Sequence, residues 1–401
     1  MNKKLGMAVA GAVMAFGASA ANAGITIPAG DWTIDIGGNV NAYYNHTSFS
    51  GRESEGGDAE NTNVINTGLL PAALGIGGKT RQNDLDIAFQ FTFFTGIDST
   101  QNPVVGNDGY TGYGNNAALG LNSLNIRQAY MTFGDASWGT IKMGRDLGIY
   151  QSDAILSDMT LLGVGSGAGG TGNTTLGRIG FGYLYADWKT QISYMSPNWN
   201  GFSFAVGAIT PWQSDNAADA GTNEDLGFEG KVAYEWAGDV SGKVWAGFIS
   251  QKVNFDDTID KSSQTARGWD IGGKVNVAGF GLVGSYYDGE GIGRTGFLLG
   301  GFDENGKKRD SDGWYVQGTY VLPTIGTKLG LSYGESKLDM NAVDKSDADF
   351  LEEQNSWVVG AYHPLTKSLN LVAEYTASDY EYNVGKDLKA KTVSLGAILF
   401  F

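Results

Sequence analysis

Three carboxylates, Asp146, Asp153 and Asp158, stand in a stretch, 146–177, that contains no lysine or arginine. Cations crowd its borders instead: Arg127, Lys142 and Arg145 before it, Arg178 and Lys189 after it. This is not the equipment of bond-breaking catalysis. The chain has no Cys and only two His, His46 and His363. Thiolate chemistry, a His-based metal cluster and a Ser–His–Asp relay all lack their parts. Fixed acids facing fixed bases across water do different work. They set a transverse field that orders water, penalises apolar solutes and biases which ions pass.

Other motifs carry less. The run Gly163-Val164-Gly165-Ser166-Gly167-Ala168-Gly169-Gly170 has no Lys-Ser/Thr behind it and no helix pattern beside it, so it is no phosphate cradle. Its lack of bulk lets it lie close against a wall. Asp256, Asp257 and Asp260 lack the spacing and Gly of a Ca²⁺ loop. No nucleophile stands with a positioned base. The expectation is a protein that is not an enzyme and needs neither cofactor nor metal.

The elements that position these charges are strands. In 391–401, Val393, Leu395, Ala397, Leu399 and Phe401 alternate with Thr392, Ser394 and Gly396, although Ile398 and Phe400 blur the end. Phe228, Val232, Tyr234 and Trp236 oppose Glu229, Lys231 and Glu235. Trp314, Val316 and Tyr320 oppose Tyr315, Gln317 and Thr319, while Leu369, Leu371, Ala373 and Tyr375 oppose Asn370 and Glu374. Turn signals fall near Asn83, Ala136, Asn198, Gly238, Gly279, Pro323 and Pro364. Long polar connections fall at about 46–63, 97–122, 147–177, 212–223, 255–265, 291–311, 339–354 and 383–389. Seven short turns and eight long loops require sixteen strands.

Short turns at one end and long loops at the other are the pattern of an all-β, antiparallel transmembrane β-barrel, with turns in the periplasm and loops outside the cell. Tyr43, Tyr44, Trp236, Tyr286, Tyr287, Trp314, Tyr320, Tyr375 and Phe401 fall near strand ends, where interfacial girdles belong. A secreted sandwich or solenoid alternates too, but has no need of such girdles. No stretch beyond the N-terminus approaches 18 consecutive apolar residues.

Residues 1–23 read as an export signal. Lys3 and Lys4 precede an apolar stretch from Met7 to Phe16, and Ala21-Asn22-Ala23 offers a cleavage site between Ala23 and Gly24. Residues 24–401 then form a single barrel domain. The formal charge of −16 becomes −16 − 2 = −18 without Lys3 and Lys4. That excess excludes nucleic acid as a main partner. It gathers in loops: Glu53, Glu55, Asp58 and Glu60, then Asp344, Asp347, Asp349, Glu352 and Glu353. Such acids suit divalent-ion bridging to lipopolysaccharide and enrich cations at a channel mouth. Gly, at 62 of 401 residues, is about twice as common as usual, which fits turns and small inward positions.

Four passages resemble the Gram-negative trimeric porins. They are Arg127-Gln128-Ala129-Tyr130 followed by Trp138 to Arg145; Ser193-Tyr194-Met195-Ser196-Pro197 through Phe204; Tyr362-His363-Pro364-Leu365-Thr366-Lys367; and the terminal Phe401. The resemblance spans nearly the whole mature chain. It implies a homotrimer of general diffusion channels in the outer membrane, inserted by barrel-assembly machinery that reads Phe401. It also implies a third loop, about 146–178, folded inward as a constriction, with Arg145 and Arg178 the best matches to the family's constriction arginines. Arg127, Lys142, Asp146, Asp153 and Asp158 complete that expected site. Two family features are missing. Ile36-Gly37-Gly38-Asn39 has no lysine where the enterobacterial general porins carry one after a Tyr-Gly pair, and no Pro-Glu-Phe-Gly-Gly element occurs. The function implied is passive diffusion of ions and small hydrophilic solutes. The alternatives are a channel selective for one solute class, such as organic acids, and a surface adhesin or anchoring barrel.

Overall fold

The computed structural model describes residues 24–52, 61–97, 125–168, 174–216, 218–219, 225–256, 258–259, 263–385 and 387–401. The expected signal segment, Ala23 included, lies outside them, as do Glu53, Glu55, Asp58, Glu60, Asp257 and Asp260. The first strands are β1 (Ile25–Ala29), β2 (Trp32–Gly51), β3 (Asn61–Asn66), β4 (Ala72–Gln82), β5 (Leu85–Thr95) and β6 (Asn125–Asp135). Then come β7 (Gly139–Leu147), β8 (Trp188–Met195), β9 (Phe202–Ile209), β10 (Gly227–Trp236), β11 (Val240–Asn254) and β12 (Ser263–Val277). The last are β13 (Phe280–Glu290), β14 (Asp310–Val321), β15 (Lys328–Leu338), β16 (Leu351–Pro364), β17 (Leu369–Tyr382) and β18 (Leu388–Phe400).

Neighbours pair antiparallel in chain order, and β18 pairs back onto β2, so the sheet closes. β1 and β18 lie end to end along β2, where Phe401 and Gly38 exchange backbone hydrogen bonds of 2.8 and 3.1 Å. β3 and β4 likewise share one edge of β2, interrupted at 67–71. The result is a closed sixteen-stranded antiparallel barrel. Closure pairs the backbone of each strand on both sides, which is the condition for crossing lipid with strands.

The turns fall where the sequence places them. Asn83-Asp84 and Ala278-Gly279 are two-residue turns with positive φ throughout, a form whose twist suits a β-hairpin. Two long connections differ from expectation. β2 runs on to Gly51 and pairs with β3, because polar residues join across the hairpin, with Tyr44 Oη to Asn63 Oδ1 and Ser48 Oγ to Asn61 Oδ1 both at 2.6 Å. The third loop runs from 148 to 187, about ten residues beyond the expected end. Phe181, Tyr183 and Tyr185 mimic strand alternation there, but Gly180, Gly182 and Asp187 take positive φ and break the extended chain.

Alternation sorts the side chains. Phe228, Val232, Val316, Leu371, Tyr375, Val393 and Leu395 point outward and are exposed, while Glu229, Gln317, Asn370, Glu374, Thr392 and Ser394 point inward and are buried. Ile398 and Phe400 are also inward, packed in one apolar cluster with Leu69, Phe94, Ile155 and Leu161. This explains the blurred strand end. Outside, Trp269 meets Tyr286 at 5.5 Å, Trp314 meets Tyr333 at 5.4 Å and Tyr333 meets Trp357 at 4.6 Å, an aromatic row across β12–β16. Tyr43 and Tyr287 do not join a girdle. Both face inward and are fully buried, and Tyr43 Oη donates to Leu162 O at 2.8 Å.

The loops at 291–309 and 339–350 are clasped to each other. Arg309 Nε and Nη2 reach the two oxygens of Asp344 at 2.8 and 2.6 Å, and Asn341 N donates to Asp344 Oδ2 at 2.8 Å. Burial works against the Asp344 carboxylate, yet these donors hold it below its ordinary value of 3.8.

Two outcomes follow. Leu331, outward on β15 and 49% exposed, faces hydrocarbon. Leu331→Arg is expected to lower barrel stability by about 2–4 kcal/mol if it lies near the bilayer midplane, as read by urea unfolding from lipid vesicles; an unchanged midpoint contradicts the outward assignment. For the clasp, a depressed carboxylate stabilises above its unfolded pKa and loses that contribution as pH falls through its folded pKa. Amide exchange in 339–350 is therefore expected to quicken, beyond its intrinsic pH dependence, below about pH 4, and Asp344→Asn to quicken it already at pH 7.

Candidate functional site: the inward-folded third loop

The third loop leaves β7 at a sealed root. Lys142 and Asp146 form a buried ion pair, and Gln128 Nε2 donates to Asp146 Oδ1 at 2.8 Å. On the neighbouring wall Lys189 and Glu229 form a second buried pair, and Glu229 Oε2 accepts from Ile149 N at 2.6 Å. Each pair is tied to a backbone or amide donor, which offsets part of the cost of taking charges out of water.

Past this root a short helix, α1 (Ser152–Ile155), brings Asp153 against β10 and β11. Lys231 Nζ lies 2.8 Å from Asp153 Oδ2 and 2.8 Å from Ser152 Oγ. Lys243 Nζ lies 2.5 Å from Asp153 Oδ1 and 3.0 Å from Glu235 Oε1. The loop then crosses to β14, where Tyr315 Oη donates to Ala154 O at 2.8 Å and Gln317 Oε1 accepts from Met159 N at 2.7 Å. Asp158 caps the next turn. It accepts from Thr160 N at 2.9 Å, Thr160 Oγ1 at 2.7 Å and Tyr183 Oη at 2.8 Å.

The glycine run meets the far wall. Glu374, buried on β17, accepts from Val164 N at 2.9 Å, Gly165 N at 2.7 Å and Tyr362 Oη at 2.6 Å. A β-carbon at Gly163 would collide with the Glu374 carboxylate, and one at Gly68 would collide with Gly163 O. The run thus allows the close approach of backbone to wall that its composition suggests; Gly169 and Gly170 lie outside the described residues.

The return leg is stapled by Arg178. Its Nε donates to Ser332 Oγ at 2.5 Å, and its Nη atoms donate to Ser356 O at 3.2 and 3.3 Å. The side chain is 0% exposed, so it lies inside packed protein rather than against water. Gly182 N donates to Ser336 Oγ at 2.9 Å, and Gly148 N donates to Asp187 O at 2.7 Å as the loop rejoins β8.

The seven residues singled out in the sequence therefore separate. Lys142 with Asp146, Asp158, and Arg178 are buried anchors. Asp153 meets lysines. Arg127 is half-buried, its guanidinium 5.0 Å from the Phe94 ring centre. Arg145, also half-buried, sits opposite Ala129 and Thr190, one position off the inward-facing Asp146. Sequence reading missed Lys243 altogether. It saw Glu229, Lys231 and Glu374 on polar strand faces but gave them no role. The available signal was a charge at an inward position of an otherwise small or neutral face.

Comparison with known proteins follows this geometry. A family model described as Gram-negative porin matches residues 8–383. A comparison with curated proteins found no match. Among solved structures, the chain is similar to the outer membrane channel DcaP of Acinetobacter baumannii, at 17% identity and a TM-score of 0.66, covering 94% of this chain and 100% of that one. It is similar to OmpF of Salmonella typhi in complex with daunomycin, at 17% identity and 0.58, covering 94% and 100%. It is also similar to OmpT of Vibrio cholerae in a trimer form, at 16% identity and 0.54, covering 92% and 99%. With the family model matched along most of its length, the chain belongs to the Gram-negative porin family: it is an outer-membrane channel for passive diffusion.

Proposed function

We propose that the aqueous path is narrowest between Asp153 of the third loop and the lysines of β10–β12, and that solutes pass there without being chemically changed. The observation that carries this is exposure. The side chains of Lys231 and Lys243 keep 25% and 14% of their surface open, whereas those of Lys142, Asp146, Lys189 and Glu229 keep 8% or less; Asp153, itself at 8%, reaches the path through the two lysines it pairs with. Arg178, Asp158, Lys142 and Asp146 then act as anchors that hold the loop. Arg127 and Arg145 flank the loop root.

Local charge sets selectivity, because screening acts over about 8–10 Å at physiological salt. Lys231, Lys243 and Lys274 face Asp153 and Glu235, with Asp270 buried beside Trp245 Nε1 at 3.1 Å. These charges nearly cancel, so the channel is weakly selective. The cation bias suggested by the overall net charge is confined to the mouth.

The trimer form of a similar barrel supports a homotrimer. Contact of the acidic outer loops with lipopolysaccharide, bridged by divalent cations, and reading of Phe401 by the barrel-assembly machinery belong to the same proposal.

Single-channel recording in planar bilayers tests it. Three equal closing steps are expected, with a reversal potential near zero in a KCl gradient. A charge 4 Å away in water is worth about 1 kcal/mol. Asp153→Asn is therefore expected to shift the permeability ratio toward chloride by about two- to fivefold. An unchanged ratio removes Asp153 from the path, and activity without conductance removes the channel itself.

A further inference from the structure

The outer loop between β13 and β14 carries Ile292, Phe297, Leu298 and Phe302, all of them buried. A loop lying over water has nothing to bury them in. The inner wall does. Ile249, Val253, Ala266 and Tyr287 share the inner face of β11–β13 towards its outer end, and they form one apolar cluster with the four loop residues. Tyr150 and Leu184 of the third loop join the same cluster. The inner face of an aqueous channel is ordinarily polar, so this apolar patch marks a place where the wall meets protein.

The loop backbone is tied down there as well. Ser311 Oγ donates to Gly293 O at 2.8 Å, and Tyr287 Oη donates to Arg294 O at 3.4 Å. Tyr185 N, on the return leg of the third loop, donates to Thr295 O at 2.9 Å. Arg309 Nη1 donates to Gly300 O at 2.9 Å and to Phe302 O at 2.6 Å, which closes the segment at its base. At the tip Leu298 takes a φ of 71°, a conformation uncommon for a leucine, and burial of its side chain holds it there. Beside it the Phe297 ring centre lies 5.3 Å from Lys189 Nζ. The ring thus covers the ammonium of the buried Lys189–Glu229 pair.

We propose that segment 291–302 is a second inward-folded loop, which closes the outer part of the lumen along β11–β13 to solutes and confines their entry to the remaining opening. This goes beyond the reading in which the third loop sets the narrowest point. The third loop fixes the width of the path; the second decides which part of the mouth leads to it. Phe297 and Leu298 are its positioning residues, since their burial against wall and third loop holds the segment down. With the segment lifted, Ile249 and the Lys189–Glu229 pair would meet water.

The chain has no native cysteine, so Ile249→Cys places a single thiol on the covered wall. The probe is a membrane-impermeant, positively charged methanethiosulfonate, added to the full-length channel in planar bilayers and read as a stepwise loss of current. With the loop intact the thiol is expected to be protected. Phe297→Ala in the same background is expected to raise the modification rate about a hundredfold, the scale of local opening released when one buried aromatic side chain is removed. Replacing 294–299 by Gly-Ser-Gly is expected to abolish the protection. Channel steps in KCl alone report whether each variant barrel is intact, and the shortened loop carries the test should Phe297→Ala fail to insert. Rapid modification with the loop intact overturns the proposal and leaves the channel reading standing. A thiol that stays protected in conducting variants does the same. Absence of wild-type channel steps overturns both.

Discussion

A strand in a lipid bilayer has no water to satisfy its N–H and C=O groups, and closing the sheet on itself supplies the missing partners. That single requirement organises this molecule. It fixes the pairing of β18 back onto β2 and the end-to-end join of β1 with β18. It also forces alternation, because each strand then has one face in lipid and one face inside. The slightly negative mean hydropathy of the whole chain is a consequence: half of each strand and all of the loops are free to be polar.

The same requirement returns inside the barrel. A loop of irregular backbone brought into the lumen has its own unpaired groups, and buried groups without partners are costly. Here the inner wall supplies the partners. Glu374 takes two N–H groups, Gln317 and Glu229 take one each, and Tyr43 and Tyr315 give hydrogen bonds to carbonyls. The polar inner face is thus a mould for the third loop as well as a lining for water. Its buried ion pairs act in the same way. Losing one member of such a pair leaves an uncompensated charge, at about 3–5 kcal/mol, so they hold one loop position rather than many.

Much of this was legible in the sequence. The alternation around Val393 and Leu395 gave the outward face, and the turn residues gave the hairpins and the strand count. The glycine run announced a close approach. What alternation does not report is where around the barrel, or how deep, an inward residue sits. Arg178 is expected at the constriction and Lys243 carries no expected role, yet the first is buried against Ser332 and Ser356 while the second keeps exposed surface beside Asp153. That difference depends on where the third loop lands, which is a tertiary matter. The loop's end was misread for a local reason, since Phe181, Tyr183 and Tyr185 carry strand periodicity into a segment that packs as loop. Tyr43 and Tyr287 were misread because an aromatic near a strand end serves equally well as a girdle or as a plug beneath a loop.

The central claim is that the third loop is fixed across the lumen and that its fixed position sets the channel. The chain has no native cysteine, so a tether is easily introduced. Ser166 Oγ of the loop and Ser378 Oγ of β17 lie 3.1 Å apart. In the double variant Ser166→Cys, Ser378→Cys, a disulfide is expected to form on mild oxidation, with the same single-channel conductance before and after reduction. Failure of the cysteines to join, or a conductance that changes when the bond is reduced, would contradict it.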